Sequence, residues 1–207
     1  MIRQRRHPAA TQGTTRLEAF TDGVFAIAAT LLVLDLTTHS IGEVASDTEM
    51  WAALGAMGSL FVNFALSFVL LCLLWMTHVQ QFEHIARVDG TLVWLNNGRL
   101  LFIVLVPFAT SLATDYSAFL AGRLAMPLVF FLAILFSWLQ WMWAVRRREV
   151  MLPDMSEADA RAYGRSALSA VVISVVVVAL APLIGSAAFL LFLLDGPLTR
   201  LLRGKGD

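Results

Sequence analysis

Asp22, His78 and Arg99 are ionisable residues set inside long apolar runs, so they are the residues that most need a chemical explanation. A charge in hydrocarbon is costly, and such groups usually face other protein or water and find a partner there. Asp22 follows Phe20 and Thr21 and precedes an almost uninterrupted apolar stretch from Gly23 to Leu34. Its candidate partners are Arg16 on the same stretch and His78, Asn96, Asn97 and Arg99 at a similar level of later stretches. Arg99 is expected to pair with Asp22 or Asp89. These groups suit a clamp between helices better than catalysis, because no nucleophile or metal constellation surrounds them. His78 reads as a hydrogen-bonded interface residue, since no second His or Cys stands at metal-ligand spacing. Cys72 is the single cysteine, which leaves no disulfide framework and no cysteine cluster.

The elements that carry these residues follow from composition. The chain is 58% hydrophobic and 14% charged over 207 residues, against about 25% charged in an ordinary soluble domain. Its apolar runs are continuous rather than alternating, which selects spanning helices over a barrel. Spans are expected at 18–37, 51–78, 92–114, 119–145, 166–183 and 185–198, the last two divided by a turn at 182–185. One long helix there is the alternative. With six spans, Arg3, Arg5, Arg6, Arg16, Arg87, Arg146, Arg147, Arg148, Arg161, Arg165, Arg200, Arg203 and Lys205 all share one side. Glu43, Asp47, Glu49, Asp115 and Arg123 fall on the other. The positive-inside rule then places a multi-pass protein in the cell membrane with both termini in the cytoplasm. The expectation is one all-α six-helix transmembrane domain over 1–207, with a short cytoplasmic N-terminus (1–15) and a cytoplasmic connection (146–165).

Local signals refine this outline. Thr15 and Glu18 have the spacing of a capping box that would start the first helix. Ser156 and Asp159 mark a short cytoplasmic helix leading into the fifth span. Trp138, Trp141 and Trp143 read as an interfacial belt. A formal net charge of zero argues against a nucleic-acid partner.

The stretch Arg16-Leu17-Glu18-Ala19-Phe20-Thr21-Asp22, continued by Gly23 to Leu34, resembles the first helix of the transmembrane protein 175 family of potassium channels, in its prokaryotic single-repeat type. The family pattern Arg-x-x-x-Phe-Ser-Asp is met with Thr21 in place of serine, which keeps the hydroxyl. The likeness continues through Trp75-Met76-Thr77-His78, Asn96-Asn97, Phe102 and Pro107-Phe108, and so covers the first half of the chain. The second half is similar in hydropathy only.

That resemblance implies a homotetramer whose first helix lines a central pore, without a re-entrant filter loop. It implies a constriction at Ile27, Leu31 and Leu34 with Thr30 adding a hydroxyl layer. It also implies a structural network of Arg16, Phe20, Thr21, Asp22, Trp75, His78, Asn96 and Asn97. Helical geometry is compatible with this division. At 100° per residue Ile27, Leu31 and Leu34 fall within about 60° of one another, and Asp22 lies about 140° from Ile27. An apolar ring can close by dewetting and favours the ion that sheds water more readily, potassium over sodium, only weakly. Potassium is then the permeant ion, with no cofactor, and the partners are other copies of the chain and membrane lipid. A secondary transporter would show paired repeats and midplane polar groups, and a membrane enzyme a nucleophile or metal constellation, both of which the sequence lacks, so the chain is read as no enzyme. Secondary ion transport and a non-conducting scaffold subunit are kept as the alternatives.

Overall fold

The computed structural model describes residues 12–36 and 41–194. Five helical stretches among them are long and apolar enough to cross a membrane: Thr15–Leu34, Gly58–Phe82, Gly90–Asp115, Leu120–Arg146 and Glu157–Phe192. The all-α polytopic expectation holds.

The first crossing is α1 (Thr15–Leu31), which tightens into a 3-10 turn over Leu32–Asp35. The expected capping box does not form. Thr14 rather than Thr15 precedes the helix, already in helical conformation, and no side chain caps it. The chain is instead guided in by a short ladder: β1 (Gln12–Gly13) pairs antiparallel with β2 (Arg87–Val88).

The second expected span, 51–78, is two helices. Ser46 accepts a hydrogen bond from Glu49 N and starts α2 (Asp47–Ala56) before the expected span begins, in the stretch that holds Asp47 and Glu49. The helix breaks at Met57, between Gly55 and Gly58, residues that weaken a helix interior, and α3 (Gly58–Phe82) follows. The third span is also jointed. Asp89 caps α4 (Gly90–Val104), and α5 (Val106–Asp115) continues after Leu105. Pro107 has no N–H to continue the ladder, which accounts for the joint.

The fourth span, α6 (Leu120–Arg146), packs most extensively against α4, α5 and α8 and forms the centre of the bundle. Its neighbours approach closely. A side-chain carbon at Gly98 would overlap the Phe136 ring, and one at Gly122 would overlap the Tyr116 carbonyl.

The connection expected over 146–165 is largely helical. It holds one turn, α7 (Arg148–Met151), and then the start of α8 (Glu157–Ile184), a single helix where a separate cytoplasmic helix and a span from residue 166 were expected. The Ser156 cap is present: its Oγ accepts from Asp159 N at 3.1 Å. The sequence from Ala158 to Leu168 contains no helix breaker other than Gly164, whose lack of a side chain fits it against Trp141.

The turn at 182–185 is also present. Gly185 ends α8 at φ +60°, a conformation that favours glycine. A 3-10 segment, Gly185–Leu194, then runs back toward the middle of the bundle. Phe189 meets Phe130 edge-on, with ring centroids 5.6 Å apart. Further along, Phe192 shares a crevice with Ser137 and Ala170. The rest of the expected sixth span, through residue 198, lies outside the described residues, as do Arg3, Arg5, Arg6, Arg200, Arg203 and Lys205.

Two cores hold these helices. The larger fills the middle of the bundle with Phe25, Leu71, Ile103, Met126 and Ala133 among its members. The smaller surrounds Trp141, with Ile85, Val88, Met151, Leu152 and Ala160, at the end where α1 starts.

Candidate pore-lining helix and its polar braces

The two faces of α1 differ sharply. Thr21, Phe25, Ala28 and Leu32 follow one another at helical spacing and are buried against the bundle. Opposite them, Arg16, Phe20, Ile27, Thr30, Leu31 and Leu34 are exposed, Ile27 to 61% and Leu34 to 62%. The Thr30 hydroxyl donates to its own helix at Ile27 O, 2.9 Å away, which leaves the oxygen lone pairs on the exposed side.

The buried face is fastened by a polar bond to α4, and through it to α6. Asn96 Nδ2 donates to Thr21 Oγ1 at 2.8 Å, and Gln140 Nε2 donates to Asn96 Oδ1 at 2.9 Å. Thus α1, α4 and α6 are joined in one short chain of bonds among fully buried side chains. Thr21 keeps the hydroxyl on which this bond depends.

Arg99 is also fully buried. Its Nη2 donates to Leu74 O at 2.7 Å, and its Nη1 points at His78 Nδ1 at 3.5 Å. The guanidinium lies 5.8 Å from the centroid of the Phe25 ring, close enough for a cation–π contact. The expected partners, Asp22 and Asp89, are engaged elsewhere. Asp22 accepts a 2.9 Å hydrogen bond from the indole of Trp75 at a solvent-accessible position. Asp89 caps α4 through Leu92 N, accepts from Trp143 Nε1, and forms an ion pair with Arg147 at 3.3 Å. Sequence spacing gave depth along the helices, but the helix rotations that decide which charge meets which are set by packing.

Of the expected network, the structure brings together Thr21 with Asn96 and Asp22 with Trp75, and sets His78 beside Arg99. Arg16 and Phe20 stay on the exposed face, and Asn97 is half-buried outside these bonds. Gln140, and the pair Gln81–Ser137 that ties α3 to α6, were missed. Their signal was available: Ser137 and Gln140 are polar residues one turn apart in an apolar span. Trp141 is a further correction to the interfacial belt. It is fully buried, donates to Ala160 O at 3.0 Å and lies 4.1 Å from the Tyr163 ring. Its depth reflects α8 continuing below the span and covering it.

Comparison with known proteins follows the same division of the chain. The family model described as "Endosomal/lysosomal potassium channel TMEM175" matches residues 16–107, which run from the start of α1 to the start of α5. A potassium channel of Streptomyces collinus is 39% identical over 101 residues, 49% of this chain and 48% of the relative. One of Chamaesiphon minutus is 34% identical over 118 residues, 54% of this chain and 55% of the relative. The mouse endosomal/lysosomal proton channel TMEM175 is 38% identical over 99 residues, which cover 45% of this chain and 20% of that protein. The chain thus spans about half the length of the bacterial relatives it matches. In structure the likeness is wider. The crystal structure of a lysosomal potassium-selective channel TMEM175 homologue from Chamaesiphon minutus superposes with a TM-score of 0.70 at 26% identity, over 91% of this chain and 95% of the other.

Proposed function

We propose that this chain, whose residues 16–107 match the TMEM175 family model, is a potassium-permeable cation channel of that family, in which copies of α1 line a central pore. The observation that carries this reading is the face of α1 left exposed among the described residues, on which Ile27, Thr30, Leu31 and Leu34 follow one another while the opposite face is bolted to the bundle. One helix cannot enclose a pore, so symmetry must supply the others. We infer a homotetramer in the cell membrane with both termini in the cytoplasm, consistent with the arginines that gather at the end where α1 starts.

In such an assembly Ile27, Leu31 and Leu34 form apolar rings. They offer no oxygen to replace hydration water, so they close the path by dewetting and pass ions that retain part of their shell. Thr30 adds one hydroxyl per copy, with lone pairs able to face a cation. Discrimination between potassium and sodium is weak because no carbonyl cage is present in the ring. Thr21, Asp22, Trp75, His78 and Asn96 hold α1 at its depth and rotation, and Arg16, Phe20 and Asn97 join at the contacts between copies.

Liposomes loaded with potassium chloride test the proposal. Rapid, unsaturated efflux through the purified chain is expected. Ile27→Asn should increase it and reduce the preference over sodium. Saturable flux coupled to a second ion would instead indicate a secondary transporter, and no flux a scaffold subunit. The same vesicles report proton flux, which the name of the mouse relative makes worth reading.

A further inference from the structure

At the end of the bundle remote from the start of α1, helices α3, α5 and α6 and the returning 3-10 segment enclose a cavity of about 380 Å³. Its polar wall holds Ser59, Asn63, Ser117, Arg123 and Ser186. Arg123 sits in the first turn of α6. Its Nε is buried without a hydrogen-bond partner, and no carboxylate pairs with it among the described residues. The hydroxyls of Ser59, Ser117 and Ser186 are likewise free of hydrogen bonds among the described residues. Asn63 uses one amide hydrogen, on Thr114 Oγ1 at 3.1 Å, and has a second to give.

An arginine left unpaired at the edge of an apolar bundle needs an anion. The guanidinium presents a fork matched to carboxylate and phosphate oxygens. Three hydroxyls and an amide around it offer more donors than a carboxylate has oxygens to fill, which favours the tetrahedral anion. The α6 dipole adds positive potential at the same point. Depth is consistent too: Tyr116 and Phe119, exposed aromatics beside this cavity, belong at headgroup level. The opposite wall is apolar, with Val62, Met126 and Phe189, so the site is shaped for a group carrying a hydrocarbon chain as well as for a free ion.

We propose that this cavity binds a phosphate group, held by Arg123 and by Ser59, Ser117, Ser186 and Asn63. Its source is either a membrane phospholipid or free phosphate. None of its lining residues belongs to the Ile27–Leu34 stripe.

The purified full-length chain in detergent can be titrated with phosphatidylglycerol, with diacylglycerol as a phosphate-free control, and followed by native mass spectrometry. Inorganic phosphate is followed separately by phosphorus NMR line broadening. Arg123→Gln should weaken phosphatidylglycerol binding about tenfold, the size expected for losing charge-assisted hydrogen bonds, and leave diacylglycerol unchanged. Ser186→Ala, which removes one hydroxyl without touching the charge, should weaken it several-fold. Phosphorus broadening that depends on Arg123, without preference for phosphatidylglycerol over diacylglycerol, assigns the site to free phosphate and still supports it. Equal binding by wild type and both variants, with unchanged elution on size exclusion, overturns the proposal. So does loss of the assembly in Arg123→Gln without any phosphate binding, which would assign Arg123 to a carboxylate of a second copy.

Discussion

The inner face of α1 and its outer face are built on opposite rules. The inner face makes specific bonds at fixed distances: Thr21 to Asn96, and through it to Gln140, with Phe25 beneath Arg99. The outer face, from Arg16 through Ile27 to Leu34, makes no such bond to the rest of the described chain. If the proposed pore is right, position and function are carried by different sides of one helix. Residues that fix where α1 stands can tolerate little change, because buried polar groups are costly when a partner is removed. Residues that would meet an ion or another copy are freer within a single chain, and their substitution should be felt in flux.

Mutations on each side test this division. Arg99→Ala should have the largest effect. It strips the donor from Leu74 O, leaves His78 without its neighbour and opens a cavity, at a cost of about 3 kcal/mol or more; detergent-resistant folded protein should fall steeply in a thermal-unfolding assay. Asn96→Leu comes next, at about 2 kcal/mol, because Thr21 and Gln140 lose a shared partner. Thr21→Ala in the same background should then cost little more, the non-additivity expected of bonds in one network. Trp75→Phe removes one hydrogen bond to Asp22 at an accessible position and should cost about 1 kcal/mol. Leu34→Ala on the outer face should shift the unfolding midpoint least, within about 0.5 kcal/mol, while altering potassium efflux in liposomes. A large loss of stability with unchanged efflux in Leu34→Ala would erase the distinction between the faces.

Much of the fold was legible because bilayer thickness sets so strict a length on apolar runs. The five helical stretches, the Pro182–Gly185 turn and the Ser156 cap were all readable as local signals. The joints were less so. Met57 divides α2 from α3 because two glycines flank it, and no apolar count registers that. In the site, Asp22, Asn96 and Thr21 were identifiable as polar residues in apolar runs. Arg99 was mispaired because sequence fixes depth along a helix more readily than rotation about it. Trp141 was misplaced for a related reason: a tryptophan near a span end belongs to the interface unless another helix covers it, and α8 does.

The two-residue ladder between Gln12–Gly13 and Arg87–Val88 has a mechanical consequence. It pins the start of α1 to the turn between α3 and α4, some 20 residues before the helix ends in a short 3-10 turn. Leu32 is packed in the core at the other end, so any tilt of the helix against that packing would turn about the ladder. Arg16 to Leu34 spans about 27 Å, so a tilt of about 5° about the ladder carries Leu34 roughly 2 Å sideways and leaves Arg16 nearly still. In the proposed pore, aperture and anchorage would sit at opposite ends of the same lever.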